Sequence, residues 1–326
     1  MKAVQYNRFG GPEVLEVVDV PTPVAGAGEV LIRVGAAGIN FFEVLMRADR
    51  YAATPGLPMF PGVEAAGTVE AVGDGVDPRL LGSRVAAPLF VSERPFGGHA
   101  EYVTIDAGLA VPVPDALSFE EATALMVQGL TALHLLRQSP PANKTVLIPA
   151  AAGGVGSLLI QLARGQSARR VIALAGGRMK LVPVLSSGAD VAIDSSRVEW
   201  PAQIREANGG AGVDIIYDTV GGPMTAAALP ALTPGGELVF AALGRFALSA
   251  ADVEAMIGQN QSLRGFALLP LLSPAVLKAG LVELFELAAN CRLRAAIGGS
   301  FPLDRAGEAH RLLEERRSTG KVVLAP

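Results

Sequence analysis

The sequence predicts an α/β fold in which a doubly wound parallel sheet is accompanied by a second, β-rich domain. From about residue 145 onward, apolar strand-like runs alternate with segments of helical length and spacing, which indicates βαβ units. Before about residue 115, short alternating segments are divided by Gly and Pro turns, which favours a small barrel or a partly open one. A length of 326 residues is enough for two domains with substantial cores.

The β-rich region contains a clear strand pattern. Val30, Ile32 and Val34 alternate with Leu31 and Arg33, which is the period of a strand with one protected face.

A helical region begins where the strand pattern ends. Ser118 and Glu121 have the spacing of a capping box, in which the hydroxyl accepts a backbone N–H and the carboxylate reaches back to the cap residue. This pattern predicts a helix from Phe119 to Arg137, which a Pro-Pro pair closes.

Six strand-like runs follow this helix, and the segments between them have helical spacing. They lie at residues 145–148, 170–174, 190–193, 213–220, 237–243 and 262–269. Pro183 and Pro201 fall inside two of the intervening helices, so we expect those helices to begin late. Beyond about residue 270, helices at 275–289 and 304–317 and a closing strand KVVLA are predicted.

The composition excludes several classes of function. Half of the residues are hydrophobic and the mean hydropathy is +0.40, yet no apolar run approaches the ~18 residues of a membrane span. Cys291 is the only cysteine, so neither a disulfide framework nor a thiolate-rich zinc site can form. The formal charge of −4 and the lack of basic tracts argue against nucleic acid as a partner. We expect a soluble, cytoplasmic protein.

A glycine turn lies between the first of the six strands and the helix that follows it. In the run AAAGGVG, Gly153 and Gly156 have the spacing of a dinucleotide-binding turn. Gly153 would let the backbone approach a pyrophosphate, and Gly156 would let the helix pack closely on the strand. The free N–H groups at the start of that helix and its dipole favour the anion. The alternative is a tight turn without a ligand. We predict a Rossmann-type dinucleotide site.

The end of the second of these strands predicts which dinucleotide binds. NAD-preferring sites carry an acidic residue there, which holds the ribose 2′-hydroxyl. This chain has no carboxylate at that point, and Gly176 is followed by Arg178 and Lys180. Two cations suit a 2′-phosphate, which predicts NADPH as the cofactor. The alternative is that both are solvated charges at a helix start.

Six longer motifs are spread over essentially the whole chain. They are MKAVQYNRFGGPEVLEV, AGINFFEVLMR, PGVEAAGTVEAVG, AAAGGVG, VDIIYDTVGG and GKVVLAP. In these motifs the chain resembles the medium-chain dehydrogenases/reductases, and in particular their quinone oxidoreductase (zeta-crystallin-like) branch. The resemblance implies a GroES-like catalytic domain at 1–123 and 267–326, a Rossmann NADPH-binding domain at 124–266, and a homodimer.

The resemblance also shows a departure at the zinc positions. Zinc-dependent members of this superfamily have a Cys where this chain has Asn40, and Gly-His-Glu where it has Gly62-Val63-Glu64. Val63 has no lone pair, and Asn40 is a poor Zn²⁺ ligand beside a thiolate or an imidazole. The four-cysteine structural zinc lobe is missing as well, so no metal site is predicted.

In the resembling enzymes, the loop that contains Asn40, Glu43 and Tyr51 lines the nicotinamide and substrate cleft. Asn40 would bond the cofactor ribose or a substrate carbonyl, unless it only caps a turn. Tyr51 would donate to a developing oxyanion or stack on a flat substrate, unless it is a surface residue. Asn40 and Tyr51 are therefore the catalytic candidates, and Glu64 is expected to orient local backbone or Arg84 rather than act as a base.

The predicted cofactor contacts combine the glycine turn, the cationic turn and four further positions. They are Asn40, Thr131, Gly153, Gly154, Val155, Gly156, Gly176, Arg178, Lys180, Leu243 and Gly244. The branch often has a Tyr where this chain has Asp194 and Met46. Asp194 weakens the expectation of NADPH, and Met46 leaves the substrate open.

The three histidines share no ligand spacing. His99 is expected at the surface or in the cleft, whereas His134 and His310 are expected at packing or surface positions of helices.

Together these features predict a zinc-independent, NADPH-dependent reductase that delivers hydride to a quinone or an α,β-unsaturated carbonyl (an enone). One alternative is an enoyl-thioester reductase on the same fold, which would need a cationic channel for a CoA phosphate. The other is a non-catalytic NADPH-binding protein.

Overall fold

A computed structural model describes residues 1–326. The chain divides into two units, of which the first contains a large sheet and the two-stranded pair of β1 and β2, and the second contains a single sheet. The first unit consists of Met1–Leu130 and Leu271–Pro326, and the second of Thr131–Pro270. The predicted α/β class is confirmed, since the first unit is β-rich and the second contains a parallel sheet with helices between its strands.

Strands and helices follow one another in the predicted order. The strands are β1 Lys2–Gln5, β2 Glu16–Asp19, β3 Glu29–Ile39, β4 Ala65–Val72, β5 Arg84–Ala87, β6 Tyr102–Asp106, β7 Val111–Pro112, β8 Thr145–Ile148, β9 Arg170–Ala175, β10 Val191–Asp194, β11 Val213–Asp218, β12 Leu232–Phe240, β13 Ser262–Gly265, β14 Ile297–Phe301 and β15 Lys321–Leu324. The α-helices are α1 Phe41–Arg47, α2 Phe119–Ala124, α3 Leu130–Gln138, α4 Gly154–Gly165, α5 Leu181–Ser186, α6 Trp200–Ala207, α7 Pro223–Ala228, α8 Ala250–Gly258, α9 Pro274–Ala289 and α10 Ala306–Glu314. Short 3₁₀ turns lie at Pro12–Val14, Pro78–Leu80, Leu89–Val91, Arg178–Lys180, Leu229–Ala231, Leu269–Leu271 and Leu303–Arg305.

The second unit is built on a six-stranded sheet in which every pairing is parallel. Its strand order is β10-β9-β8-β11-β12-β13. The chain runs outward from β8 to β10, returns to the other side of β8 at β11, and continues outward to β13. Ligands of such sheets bind at the carboxyl ends of the strands, next to the point where the order reverses. That point lies between β8 and β11.

All six predicted strands of this unit are present, and two of them differ from their predicted bounds by more than two residues. β12 begins at Leu232 rather than 237, because a register shift beyond Val213 carries the strand through a Thr-Pro-Gly-Gly segment. β13 ends at Gly265 rather than 269, where a 3₁₀ turn that contains a proline begins.

The helices of this unit confirm the role expected of the two prolines. Pro183 and Pro201 both lie in the first turn of their helices, α5 and α6. In that turn the missing N–H of proline breaks no intrahelical bond. A core of the unit is formed by side chains from one face of the sheet and from the helices packed on it, including Leu147, Ile172, Leu174, Trp200, Ile204, Ile216, Leu238 and Met256.

The first unit is organised around the long strand β3. Its sheet has the order β14-β15-β3-β4-β5-β7, and β6 also pairs with β3. β6 pairs along the first part of β3, and β15 pairs along its last part. Val30, Ile32 and Val34 are buried and Arg33 is exposed, as the alternation predicts, but Leu31 is buried as well, so the other face of the strand is only partly open.

The helical region after Ser118 follows the prediction with one addition. Ser118 Oγ accepts the N–H of Glu121 at 3.1 Å, and the Glu121 carboxylate accepts the N–H of Ser118 at 2.9 Å, so the capping box is confirmed. The helix then widens into a π-helical segment, Leu125–Gly129, between α2 and α3. None of the helices in the chain combines the length and the apolar character of a membrane span.

Candidate active site

Three elements of the first unit bring Asn40, Glu64 and Lys321 together. Asn40 follows β3, Glu64 precedes β4, and Lys321 opens β15. β15 runs antiparallel to β3 with Val322 opposite Ile39, so Lys321 lies beside Asn40. β4 pairs with the same end of β3, which brings Glu64 to the same place.

These side chains form a buried polar network. Lys321 Nζ donates to Asn40 Oδ1 at 2.8 Å and forms an ion pair with Glu64 Oε1. Asn40 Nδ2 donates to Glu64 Oε1 at 2.8 Å and to Glu43 Oε2 at 3.1 Å. Since an ammonium group only donates and a carboxylate only accepts, these partners determine which atom of the Asn40 amide is the oxygen. Lys321 and Glu64 are fully buried, and Asn40 and Glu43 nearly so.

Glu43 is held by backbone N–H groups at the start of α1. Its Oε2 accepts the N–H of Asn40 at 2.9 Å, and its Oε1 accepts the N–H of Gly62 at 3.0 Å. Burial raises the pKa of Glu43 to about 7, although the hydrogen bond from Asn40 and the charge of Lys321 act in the opposite direction. This carboxyl group can therefore exchange a proton near neutral pH.

Zinc does not fit this arrangement. Asn40 Oδ1 and Glu64 Oε1 both accept hydrogen bonds from the Lys321 ammonium group. Val63, the buried residue that precedes Glu64, has no atom that could bind a metal. Nowhere in the chain do three or more His, Cys, Asp or Glu side chains come together in a way that could hold a metal ion. A Zn²⁺ ion would have to displace a buried, paired cation and would find one carboxylate and one amide as its ligands.

The expected partner of Glu64 was partly wrong. Arg84 does not contact Glu64; it donates to the Leu117 carbonyl, and its guanidinium lies 4.6 Å from the centroid of the Phe119 ring. Glu64 does orient backbone, because its Oε2 accepts the N–H of Val127 at 2.8 Å. Val127 lies in the π-helical segment between α2 and α3, a type of turn that often occurs at functional sites.

The prediction that His99 is a surface or cleft residue was wrong. His99 is fully buried, and its Nε2 lies 3.0 Å from the Gly38 carbonyl oxygen. It is buried because its backbone is hydrogen-bonded to two other segments of the unit. Its carbonyl accepts the N–H of Val4, and its N–H donates to the Pro61 carbonyl. His310 is also buried and packs edge-on against His99, with 6.3 Å between the ring centroids. His134 is buried as well, so His134 and His310 occupy packing positions as expected.

Because His99 and His310 are buried, acid should destabilise the protein. Burial lowers the pKa of His99 to about 4 and lowers that of His310 well below 6.5. Below about pH 6.5 the unfolded chain binds a proton at each imidazole and the folded protein does not. His99 should therefore remove about 1.4 kcal/mol of unfolding free energy per pH unit as the pH falls from 6.5 towards 4, and His310 should act in the same direction.

The raised pKa of Glu43 has the opposite effect on the free energy of unfolding. Between about pH 7 and 4.5 the folded protein holds a proton on Glu43 that the unfolded chain releases, which offsets the effect of one histidine. Urea unfolding at a series of pH values should show a net acid loss, and Glu43→Gln should make its slope steeper. A stability that stays constant or rises from pH 6.5 to 5 would contradict the buried, neutral state of His99 and His310.

Tyr51 lies against an aromatic neighbour in the first unit. Its ring centroid is 5.6 Å from that of Phe42, at an interplanar angle of 33°. Its hydroxyl makes no hydrogen bond within the chain, and partial burial raises the pKa of this hydroxyl above its usual range. A neutral phenol with a free O–H is therefore available as a hydrogen-bond donor.

In the second unit, the glycine turn lies at the carboxyl end of β8. α4 begins at Gly154 after Gly153, and no side chain caps it, so its first N–H groups, including those of Val155 and Gly156, lack intrahelical partners. A Cβ atom on Gly156 would lie 2.5 Å from the Ala150 carbonyl oxygen, whereas one on Gly153 would lie 3.2 Å from the same atom. Gly156 is therefore required for the packing of α4, whereas a side chain at Gly153 would need only a small shift of the neighbouring backbone, at a site suited to an anion.

The cationic turn lies at the carboxyl end of β9. Gly177 adopts a φ of 95°, which favours glycine, and the 3₁₀ turn Arg178–Lys180 follows. Arg178 is exposed, while Lys180 is partly buried and burial lowers its pKa.

The remaining predicted cofactor contacts lie in the second unit as well. Leu243 and Gly244 follow β12, again at the carboxyl edge of the sheet, and Leu243 is 56% exposed. Thr131 is half-buried in the first turn of α3. The sheet thus brings together the turns after β8, β9 and β12.

Sequence analysis did not single out Lys321 or Asp218. Lys321 opens an apolar strand, KVVL, and a lysine at such a position is a signal for a buried, paired cation. Asp218 ends β11, where its Oδ1 accepts the N–H groups of Val220 and Gly221 at 2.8 and 2.9 Å and its Oδ2 accepts from the Thr225 hydroxyl. This side chain orders the loop at the carboxyl edge of the sheet.

Two stretches of the sequence match known families. Residues 26–115 match the alcohol dehydrogenase GroES-like domain, and residues 187–324 match the family of zinc-binding dehydrogenases. The quinone oxidoreductase of Pseudomonas aeruginosa is 34% identical and aligns over 100% of this chain and 99% of its own length. The human quinone oxidoreductase is 31% identical over 99% and 97% of the two chains.

Solved structures give the same result. Escherichia coli quinone oxidoreductase in complex with NADPH superposes with a TM-score of 0.90 at 29% identity and full coverage of both chains. A mycobacterial protein in complex with NADPH gives a TM-score of 0.88 at 34% identity, again with full coverage. A GroES-like unit and a doubly wound parallel sheet with a glycine turn define a medium-chain dehydrogenase/reductase, a class of oxidoreductase. Within that class, the chain belongs to the quinone oxidoreductase family.

Proposed function

We propose that this protein is a zinc-independent, NADPH-dependent reductase that transfers hydride to a quinone or an α,β-unsaturated carbonyl. The observation that carries the proposal is the buried network of Asn40, Glu64 and Lys321. The Lys321 ammonium group is paired with Asn40, at a position where zinc-dependent members have a metal ligand, and with Glu64, which follows the second such position, Val63. That metal ionises an alcohol in the zinc-dependent members. A conjugated carbonyl does not need that ionisation, because the charge that develops is delocalised onto an oxygen that hydrogen bonds stabilise.

The cofactor proposal rests on the carboxyl edge of the sheet. When bound, NADPH supplies the hydride. Uncapped N–H groups at the start of α4 would bind its pyrophosphate beside Gly153, where the lack of a side chain would let the phosphate approach the backbone. Arg178 and Lys180 would pair with its 2′-phosphate. The NADPH complexes of the E. coli and mycobacterial relatives support this choice.

Asn40 and Tyr51 are proposed to act at the nicotinamide and the substrate. Both N–H groups of the Asn40 amide donate to carboxylates, and Lys321 uses one lone pair of its oxygen, so the second lone pair is left to accept a ribose hydroxyl. This favours the cofactor ribose over a substrate carbonyl as the partner of Asn40. The free Tyr51 hydroxyl is suited to donate to the substrate oxygen on which charge develops.

The proposal includes a homodimer and the predicted domain division, 1–123 with 267–326 and 124–266. Strand β13 ends the sheet of the second unit, and all four of its residues are exposed. Leu263 on this strand is 42% exposed and Ile257 on α8 is 70% exposed. An open sheet edge with apolar neighbours is a template for pairing with another chain. Sedimentation velocity should give the mass of two chains. The cytoplasmic location stays a prediction.

The function is tested by turnover with and without metal removal. The purified protein should oxidise NADPH with a simple quinone or enone, should be unaffected by chelators, and should fail to oxidise simple alcohols with NADP⁺. Elemental analysis should find no stoichiometric zinc. A tightly held zinc ion in each chain, with activity lost when it is removed, would overturn the proposal.

The same assay separates the alternatives. A rate with an enoyl-CoA thioester far above that with any quinone or enone would favour an enoyl-thioester reductase. Tight NADPH binding without turnover of any acceptor would favour a non-catalytic binding protein.

A further inference from the structure

Asp194 is the last residue of β10, and its side chain is hydrogen-bonded to the neighbouring cationic turn. In the register of the sheet it lies opposite Ala175, the last residue of β9. Its Oδ1 accepts the N–H of Gly177 at 2.8 Å, and also the N–H and the hydroxyl of Ser196 at 3.0 and 2.7 Å. Its Oδ2 makes no hydrogen bond within the chain. A carboxylate oxygen is therefore free at the turn that carries Arg178.

This carboxylate is ionised under ordinary conditions. The hydrogen bonds from Ser196, and then that from Gly177, lower the pKa of Asp194 below its usual range. The charge of Arg197 acts in the same direction, and Arg178 and Lys180 follow Gly177, whose N–H the carboxylate accepts. The turn thus carries a fixed negative charge among its positive ones.

The position matters because of what binds at the end of β9. In a doubly wound sheet the pyrophosphate lies at the helix after the first strand, and the adenosine ribose lies at the end of the second. Here those strands are β8 and β9. An acidic side chain at the end of the second strand ordinarily accepts the ribose 2′-hydroxyl. β9 has no such residue, but Asp194 presents a carboxylate to the same turn from the adjacent strand.

We propose that Asp194 is a specificity-determining residue of the cofactor site, which repels the 2′-phosphate of NADPH and accepts the ribose 2′-hydroxyl of NADH. The inference rests on the proposed function, since it requires a nicotinamide nucleotide at this edge. A 2′-phosphate carries a charge of about −1.5 to −2, and Asp194 offsets part of the attraction that Arg178 and Lys180 exert on it. The site therefore binds both nucleotides, with a narrower preference for NADPH than its two cations alone would give.

The test is Asp194→Asn, which removes the charge while its amide oxygen can still accept the N–H of Gly177. Dissociation constants of the full-length protein for NADPH and NADH are measured by fluorescence titration. NADPH should bind about five- to twentyfold more tightly to the variant, and NADH should bind no more tightly than before. The gain for NADPH should shrink as salt is added, because it is electrostatic.

Two further variants and one control complete the experiment. Asp194→Ser removes the same charge with a smaller side chain and should shift the preference in the same direction. Lys180→Ala should weaken the binding of NADPH and leave the dissociation constant for NADH unchanged. The control is Asp252→Asn, an exposed capping carboxylate of α8 in the same unit, which should change neither constant.

The outcomes distinguish the inference from the function. If Asp194→Asn changes the dissociation constants for NADPH and NADH by the same factor, or weakens the binding of NADPH, the inference is wrong while the cofactor proposal stands. If the wild-type protein binds neither nucleotide, both are wrong. Thermal unfolding of each variant confirms that the protein titrated is folded.

Discussion

Replacing Lys321 with methionine should lower the free energy of unfolding by about 3–5 kcal/mol, because it leaves the buried Glu64 carboxylate without its counter-ion. Methionine retains much of the aliphatic volume of lysine, so the loss reports the charge rather than a cavity. The measurement is urea unfolding at neutral pH.

A second substitution distinguishes an unpaired charge from a general packing defect. The double variant Lys321→Met with Glu64→Gln removes both charges and should recover most of the lost stability. Lys278→Met is the matched control, since Lys278 is exposed on α9 in the same unit and its replacement should stay within about 0.5 kcal/mol. If the double variant is no more stable than Lys321→Met alone, the ion pair is not what stabilises this site.

Substitutions at the two glycines of the turn should separate folding from nucleotide binding. Gly156→Val should cost roughly 1–3 kcal/mol or more, because its Cβ would lie 2.5 Å from the Ala150 carbonyl oxygen and 2.7 Å from the Ala151 Cα, and backbone must move. Gly153→Val should leave the protein cooperatively folded and weaken NADPH binding by about tenfold or more, because a branched side chain blocks close approach of the pyrophosphate.

A third glycine on the same helix provides the control. Gly165 ends α4 with no atom near the position of its Cβ, so Gly165→Ala should affect neither stability nor binding. Unfolding curves and NADPH titrations of the three variants are compared. If Gly153→Val unfolds and its folded fraction binds NADPH normally, the turn is structural only.

Local patterns in the sequence were enough to predict the second unit. Each of its strands is a short apolar run, and the helix after Gly153 follows from spacing within a dozen residues. The parallel pairing then follows from the alternation of strands and helices. Only features that depend on register, such as the early start of β12, lay beyond such patterns.

The network of the first unit could not be predicted in the same way. Lys321 and Asn40 are 281 positions apart in the chain, and Glu64 and Lys321 are 257 apart, so no local pattern links them. The same reason explains why the partners expected for Glu64, local backbone or Arg84, were ones nearer in sequence. His99 was expected at the surface or in the cleft because it follows two glycines at the start of a strand, but backbone hydrogen bonds to Val4 and Pro61 hold it in the interior.

The pairing of β15 with β3 also has a consequence for the order of folding. The entropic cost of closing a loop rises with its length, and here the loop between the two strands contains the whole of the second unit. That unit is one continuous segment, and Gln138 near its start donates to the Gly265 carbonyl near its end at 3.1 Å. Once it has folded, the long loop is replaced by a short span. We therefore expect the second unit to fold before β15 pairs with β3, so that the Asn40–Lys321 contact forms late.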